Sequence, residues 1–153
     1  MNIFTLDENL NECTKYYVDS HVSKMILETA QLLCTVHWVL GDEAPYKPTH
    51  INHPCSLWVR ESLDNYVWLC RLGMAISKEY IYRRNKSHAS QKVIEWCMNN
   101  TPNLPSKGLT PQPLCMPEDC KVDDVVESYR NYYRKHKQHL FKWTNRNKPE
   151  WIE

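Results

Sequence analysis

Apolar residues recur at helical spacing along residues 20–40, and this pattern constrains the fold more than any other feature of the chain. One side of the segment carries an apolar stripe made of Val22, Met25, Ile26, Thr29, Leu33 and Val36. The opposite side is polar, so the pattern predicts an amphipathic helix with a period of 3.6 residues. Asp19 or Ser20 is suited to cap the start of this helix, and Gly41 to end it.

Further helical patterns occupy residues 9–17, 54–85 with a break near 62–64, 90–98 and 123–143. The loop at 101–117 holds five of the nine prolines and is too long for a simple connector. Only three residues are glycine, which argues against the many turns of a β architecture. We therefore predict an all-α fold: a compact single-domain bundle of four to five helices over residues 1–153, with the Pro-rich irregular loop before the last helix and a loosely ordered tail at 144–153.

Length, hydropathy and cysteine usage are typical of a cytoplasmic globular protein. A chain of 153 residues is the size of one domain. No apolar run approaches the roughly 18 residues that span a bilayer, and the first residues lack the basic start and apolar stretch of a signal peptide. The seven cysteines include no CxxC pair, which favours reduced thiols over a disulfide scaffold. We expect a cytoplasmic monomer (in the host cytoplasm if the protein is viral) with no membrane contact, metal or other cofactor.

Charge is distributed unevenly although the net charge is only +1. Residues 1–127 hold 12 Lys/Arg and 16 Asp/Glu, a net of −4, whereas residues 128–153 hold 7 and 2, a net of +5. A basic C-terminal segment on a mildly acidic body predicts contact with phosphates. The alternative is a solvated helix face with no ligand.

His21, Lys24 and Glu28 form the first candidate catalytic set. Their i, i+3, i+7 spacing puts them on one stripe of the predicted helix. A glutamate can act as acid or base, a histidine can relay protons, and a lysine can serve as an anion clamp or an amine nucleophile. The alternative is a polar helix face with a salt bridge between Lys24 and Glu28.

The segment THINHPC offers a second candidate site. His50, His53 and Cys55 could contribute to a zinc site, for which Cys115 and Cys120 are the available partners. This spacing matches no common zinc module, so we do not predict a metal. His50 and His53 are instead expected to cap a helix, form hydrogen bonds or line a pocket.

Two segments interleave basic and aromatic residues in a manner suited to nucleic acid. The first lies at the end of the 54–85 segment and the second in the last predicted helix. The basic residues that we expect to contact DNA are Arg83, Arg84, Lys86, Arg130, Arg134 and Lys137. The alternatives are a helix end that complements its dipole and, for Tyr129, Tyr132 and Tyr133, packing in the core.

The spacing Asp19-x-His21-x6-Glu28, close to the N-terminus and on the first long helix, resembles that of the pyrimidine-dimer DNA glycosylase (endonuclease V) family of phage-type proteins. That family is all-α, single-domain and of similar length. The specific likeness covers about 30 residues, from the opening MNIFTLD through YYVDSHVSKMILETAQLL. The resemblance implies a double-stranded DNA substrate from which a nucleotide is flipped. We expect Asp19, His50 and His53 to be among the substrate contacts.

The family resemblance also implies a mechanism. The family uses the α-amine of its first residue as nucleophile, and α-amines titrate well below lysine ε-amines. Here Asn2 follows Met1, and so bulky a second residue is expected to leave Met1 in place. The resemblance therefore implies a DNA glycosylase and AP lyase, a DNA-repair enzyme that acts on damaged or modified pyrimidines. We expect the Met1 amine or Lys24 to attack the sugar, Glu28 to be the acid and base, and His21 to assist.

Two other functions stay open from the sequence. One is a transferase or hydrolase that modifies bases or nucleotides on the same scaffold. The other is a non-catalytic nucleic-acid-binding module. The sequence contains no GxGxxG, P-loop, GxSxG or HExxH motif, so redox, kinase, α/β-hydrolase and zincin functions lack support.

Overall fold

The computed structural model describes every residue, 1–153, and its regular structure is entirely helical. Six α-helices follow one another along the chain: α1 Leu10–Tyr16, α2 Asp19–Val39, α3 Pro54–Val59, α4 Leu63–Arg84, α5 Gln91–Asn99 and α6 Val125–His136. Short 3₁₀ turns at Glu118–Cys120 and Gln138–Leu140 flank α6. The all-α prediction is confirmed. The helices number six, not four or five, because the 54–85 segment is divided into α3 and α4.

Helix α2 lies at the centre of the fold and packs against α3, α4 and α5. Fourteen of its 21 residues are buried, so the predicted division into an apolar and a polar side is only partly correct. The buried polar residues are hydrogen-bonded: Thr35 donates to the carbonyl of Gln31, and His37 bonds the hydroxyl of Tyr66. Surrounding helices therefore cover a face of α2 that its amino-acid pattern assigns to solvent.

Side-chain caps begin both α3 and α4, and the second lies at the break between them. His53 Nδ1 accepts a hydrogen bond from the Cys55 N–H at 3.0 Å, with Pro54 at the first helical position. Ser62 accepts from the Asn65 N–H at 3.1 Å and starts α4. Both features agree with the predicted cap and the predicted break.

The C-terminal segment differs from the prediction. Helix α6 ends at His136 instead of extending to residue 143, and a 3₁₀ turn follows it. Residues 144–153 are not a loose tail, since Ile152 is buried and the Arg146 guanidinium pairs with Glu79 at 2.9 Å. This segment packs back on the helices and becomes part of the fold.

One hydrophobic core of 28 buried residues includes side chains from all six helices. It also contains Ile3, Phe4 and Leu6 from the extended N-terminal segment, and Ile152 near the C-terminus. Both ends of the chain are therefore anchored in the same core. None of the helices combines the length and apolar character that a membrane span requires.

Candidate active site

The N-terminal segment is held in place by residues more than 100 positions away. Asn2 Nδ2 donates to the carbonyl of Cys115, and Asn2 Oδ1 accepts from the Tyr129 hydroxyl, both at 2.8 Å. Gln112 donates to the carbonyl of Ile3, also at 2.8 Å. These partners lie in the Pro-rich loop and in α6, so both elements serve to position the start of the chain.

A cavity of about 410 Å³ opens beside the α-amine of Met1. The Met1 nitrogen lies 3.3 Å from Glu28 Oε1, and Lys24 Nζ lies 3.8 Å from Oε2. The Glu28 side chain is 9% exposed, whereas that of Lys24 is 67% exposed. The structure thus confirms that Lys24 and Glu28 share a face of α2. It places the amine and the carboxylate inside the cavity and Lys24 at its rim.

His21 lines the same cavity as a neutral imidazole. Its Nδ1 lies 2.7 Å from the Tyr133 hydroxyl, and its ring stacks on Phe4 with the centroids 4.4 Å apart. Burial, together with the positive charges of Lys137 and Lys24, lowers the pKa of His21 to about 3. His21 can therefore orient a substrate through a hydrogen bond, but it does not carry a proton into the site at neutral pH.

Arg83 belongs to a buried ion cluster and not to a DNA-binding surface. Its side chain is 1% exposed and bonds Glu79 at 2.7 Å and Asp19 at 3.1 Å. It also donates to the carbonyls of Thr14 and Lys15 near the end of α1 and to that of Tyr17, the residue after the helix. The expected contact of Arg83 with DNA is therefore wrong, and the side chain stabilises the fold.

Asp19 has a structural role beside Arg83. Its carboxylate accepts from the Thr144 hydroxyl at 2.6 Å and from the Thr144 N–H at 2.9 Å. Burial alone would raise the pKa of Asp19, but the hydrogen bonds from Thr144 and Arg83 hold it below its ordinary value. The expected cap is also corrected: the N-cap of α2 is Val18, and the Asp19 side chain secures the C-terminal segment instead.

The other basic candidates divide into bound and free side chains. Arg130 pairs with Asp7 at 3.1 Å, and Arg134 pairs with Glu127 at 2.7 Å. Arg84 is exposed and forms no ion pair. Arg130 also donates to the carbonyl of Leu6 and Arg134 to that of Trp151, so both side chains are bound within the fold.

Lys86 and Lys137 occupy different places. Lys86 is exposed in the turn after α4, outside the cavity. Lys137 lines the cavity, with Nζ 4.7 Å from the centre of the Tyr132 ring. Of the six basic residues expected to contact DNA, Lys137 is the one that the structure brings to the cavity.

The two histidines of the THINHPC segment are separated. His53 lines the cavity as well as capping α3. His50 is exposed with a positive φ of 50°, and its Nδ1 lies 2.8 Å from the Thr49 hydroxyl. The Cys55 and Cys115 sulfurs lie 3.7 Å apart, near His53, whereas Cys120 lies with Asp119 and His136 in another cluster.

Several cavity residues carry no signal in the sequence. Asn2, Phe4, Met25, Met116 and Tyr132 line it, and none of them is a predicted site residue. Tyr132 does lie in the tyrosine series of α6, where Tyr129 and Tyr133 are buried as core packing predicts while Tyr132 is only half-buried. The spacing of the tyrosines could thus have pointed to the cavity, but it does not distinguish the one that faces it.

Comparison of the chain with protein-family models, with curated proteins and with solved structures finds no match. The resemblance to the pyrimidine-dimer glycosylases therefore stays a prediction. The structure therefore defines the protein as an all-α bundle that holds an amine–carboxylate pair in an open cavity.

Proposed function

We propose that this protein is a DNA glycosylase with AP-lyase activity on damaged or modified pyrimidines, with the α-amine of Met1 as nucleophile and Glu28 as acid and base. The observation that carries the proposal is the 3.3 Å separation between the Met1 nitrogen and Glu28 Oε1 inside the cavity. An amine nucleophile needs an adjacent base to take its proton, and this pair provides both groups.

The chemistry follows from the two groups. Glu28 removes a proton from the Met1 ammonium, and the neutral amine attacks C1′ of the deoxyribose. The C1′–base bond breaks, and Glu28 returns its proton to the departing base. Glu28 then takes a proton from the attached nitrogen and passes it to the ring oxygen, so that the sugar ring opens to an iminium ion that joins C1′ to the Met1 nitrogen. Loss of a C2′ proton to Glu28 then expels the 3′ phosphate, which cuts the strand.

The rim of the cavity has the charge that a flipped nucleotide requires. Lys24 and Lys137 are the cations that line it, and each could bind a backbone phosphate next to the extruded nucleotide. Tyr132 offers an aromatic face in the same cavity. Bases extruded from a duplex are commonly received by such faces.

Borohydride trapping tests this proposal. Protein is incubated with duplexes that contain an abasic site or a thymine dimer, with reductant present. Unmodified protein should form a covalent protein–DNA adduct, protein acetylated at the α-amine should not, and Lys24→Ala should retain it. Absence of an adduct with every duplex, despite DNA binding, would overturn the proposal and favour a base-modifying enzyme or a binding module.

A further inference from the structure

Three side chains of the types that bind metals meet beside the cavity, two at its wall and one buried behind them. His53, Cys55 and Cys115 each offer a donor atom, and these atoms all lie within 4.8 Å of one another. His53 and Cys55 come from the start of α3, and Cys115 comes from the Pro-rich loop. The proposed chemistry of Met1 and Glu28 does not use these three residues. Their close approach therefore needs another explanation.

The sulfur–sulfur distance fits a shared metal ion. Two thiolates bound at about 2.3 Å to a tetrahedral Zn²⁺ lie about 3.8 Å apart, and the Cys55 and Cys115 sulfurs are separated by 3.7 Å. The chain contains a second close pair, Cys34 and Cys97, at 3.9 Å. Cys34 and Cys97 have no third possible ligand near them. Cys55 and Cys115 differ in having His53 beside them.

We infer that His53, Cys55 and Cys115 form a binding site for Zn²⁺. Coordination by His53 exchanges its hydrogen bond to the Cys55 N–H for a metal bond. The three ligands leave one position of a tetrahedral ion free, as in zinc sites that bind water or substrate. His53 and Cys115 line the cavity that also holds Met1 and Glu28, so the proposed site adjoins that space. The ion would also tie the Pro-rich loop to α3.

Cobalt substitution tests the inference without DNA or enzymatic activity. Metal-free protein is titrated with Co²⁺ in the presence of a phosphine reductant, and the absorption is recorded. One equivalent should produce a thiolate-to-cobalt charge-transfer band together with the visible bands of tetrahedral Co²⁺, and Zn²⁺ should displace both. Below pH 7, the affinity for Co²⁺ should fall tenfold or more for each unit by which the pH is lowered. The reason is that the thiols must lose their protons to bind the metal.

Four variants locate the site. Cys115→Ser should abolish the charge-transfer band, whereas Cys97→Ser and Cys120→Ser should leave it unchanged. His53→Gln should weaken Co²⁺ binding at least tenfold. Circular dichroism checks that each variant is folded. Absence of the band in the unmodified protein, or a band that survives Cys115→Ser, would overturn the inference. Either result leaves the lyase proposal intact, because the readout requires neither the Met1 amine nor a substrate.

Discussion

Met1 and Lys24 approach the same carboxylate from its two oxygens, the Met1 nitrogen at 3.3 Å from Oε1 of Glu28 and Lys24 Nζ at 3.8 Å from Oε2. The α-amine lies in the cavity, and the ε-ammonium lies at its exposed rim. The sequence leaves either Met1 or Lys24 as the nucleophile, whereas the structure gives the two amines different positions. In the proposed mechanism, Met1 is the nucleophile and Lys24 binds an anion.

Glu28→Gln should reduce strand cleavage at an abasic site by roughly 10²-fold or more, the range typical of a lost general acid or base. The amide retains the size of the side chain but cannot accept a proton from the Met1 ammonium. Single-turnover cleavage of a labelled duplex measures the effect. Glu12→Gln serves as the control, since that carboxylate lies on α1 and pairs with Lys15. Cleavage by Glu28→Gln at the rate of the unmodified protein would exclude Glu28 from the chemistry.

Lys137→Ala should weaken DNA binding at low salt and decrease the slope of log K against log salt by about 0.9, the contribution of one phosphate contact. The side chain lies at the cavity over Tyr132, where a backbone phosphate of a flipped nucleotide would pass. Fluorescence anisotropy over a range of salt concentrations measures the slope. Lys47→Ala removes a cation that packs on Trp38 and does not line the cavity, and it should leave the slope unchanged. Equal slopes for Lys137→Ala and the unmodified protein would contradict the placement of DNA.

Arg83→Ala should lower the free energy of unfolding by about 3–5 kcal/mol, because it leaves Asp19 and Glu79 buried with a main counterion removed. Urea denaturation measures the change. Arg84→Ala is the matched control, since the adjacent side chain is exposed and should alter the free energy by less than about 0.5 kcal/mol. Similar effects for the two variants would contradict the buried cluster.

The free energy of unfolding should decrease as the pH falls below 6.5, in part through His21. The folded protein holds the pKa of His21 at about 3, below its ordinary value of 6.5. Between these values the unfolded chain binds a proton that the folded chain excludes, so stability is full above pH 6.5 and is lost toward pH 3.

Denaturant unfolding at pH 7 and pH 5 measures this effect. His21→Gln should show a smaller loss between the two values than the unmodified protein. The comparison isolates His21 from His37, His53 and His88, whose pKa values are also lowered by burial. An identical pH dependence in the variant would show that His21 does not titrate in this way.

Local patterns in the sequence predict the helices well. The apolar period of residues 20–40 locates α2 to within one residue at each end, and His53 and Ser62 mark the starts of α3 and α4. These features depend on residues close together in the chain. The end of α6 is missed because its basic and aromatic pattern continues beyond His136, where the chain turns back to pack on the helices.

Contacts between distant segments explain what the sequence could not predict. Because its neighbours in the sequence are basic, Arg83 is expected to be an exposed cation. In the structure it is buried, where it donates to the carbonyls of Lys15 and Tyr17 at and just after the end of α1. The position of Met1 depends on bonds from Asn2 to Cys115 and Tyr129. Helical spacing predicts that His21, Lys24 and Glu28 share one face of α2. It does not predict that the N-terminus lies beside them.

The position of the covalent bond tests the central claim most directly. Protein reduced with borohydride in the presence of abasic DNA is digested with nuclease and protease, and its peptides are sequenced by mass spectrometry. We predict a deoxyribose-derived mass on the α-amine of the peptide that begins at Met1. The same mass on Lys24 or another lysine, or no modified peptide at all, would contradict Met1 as the nucleophile.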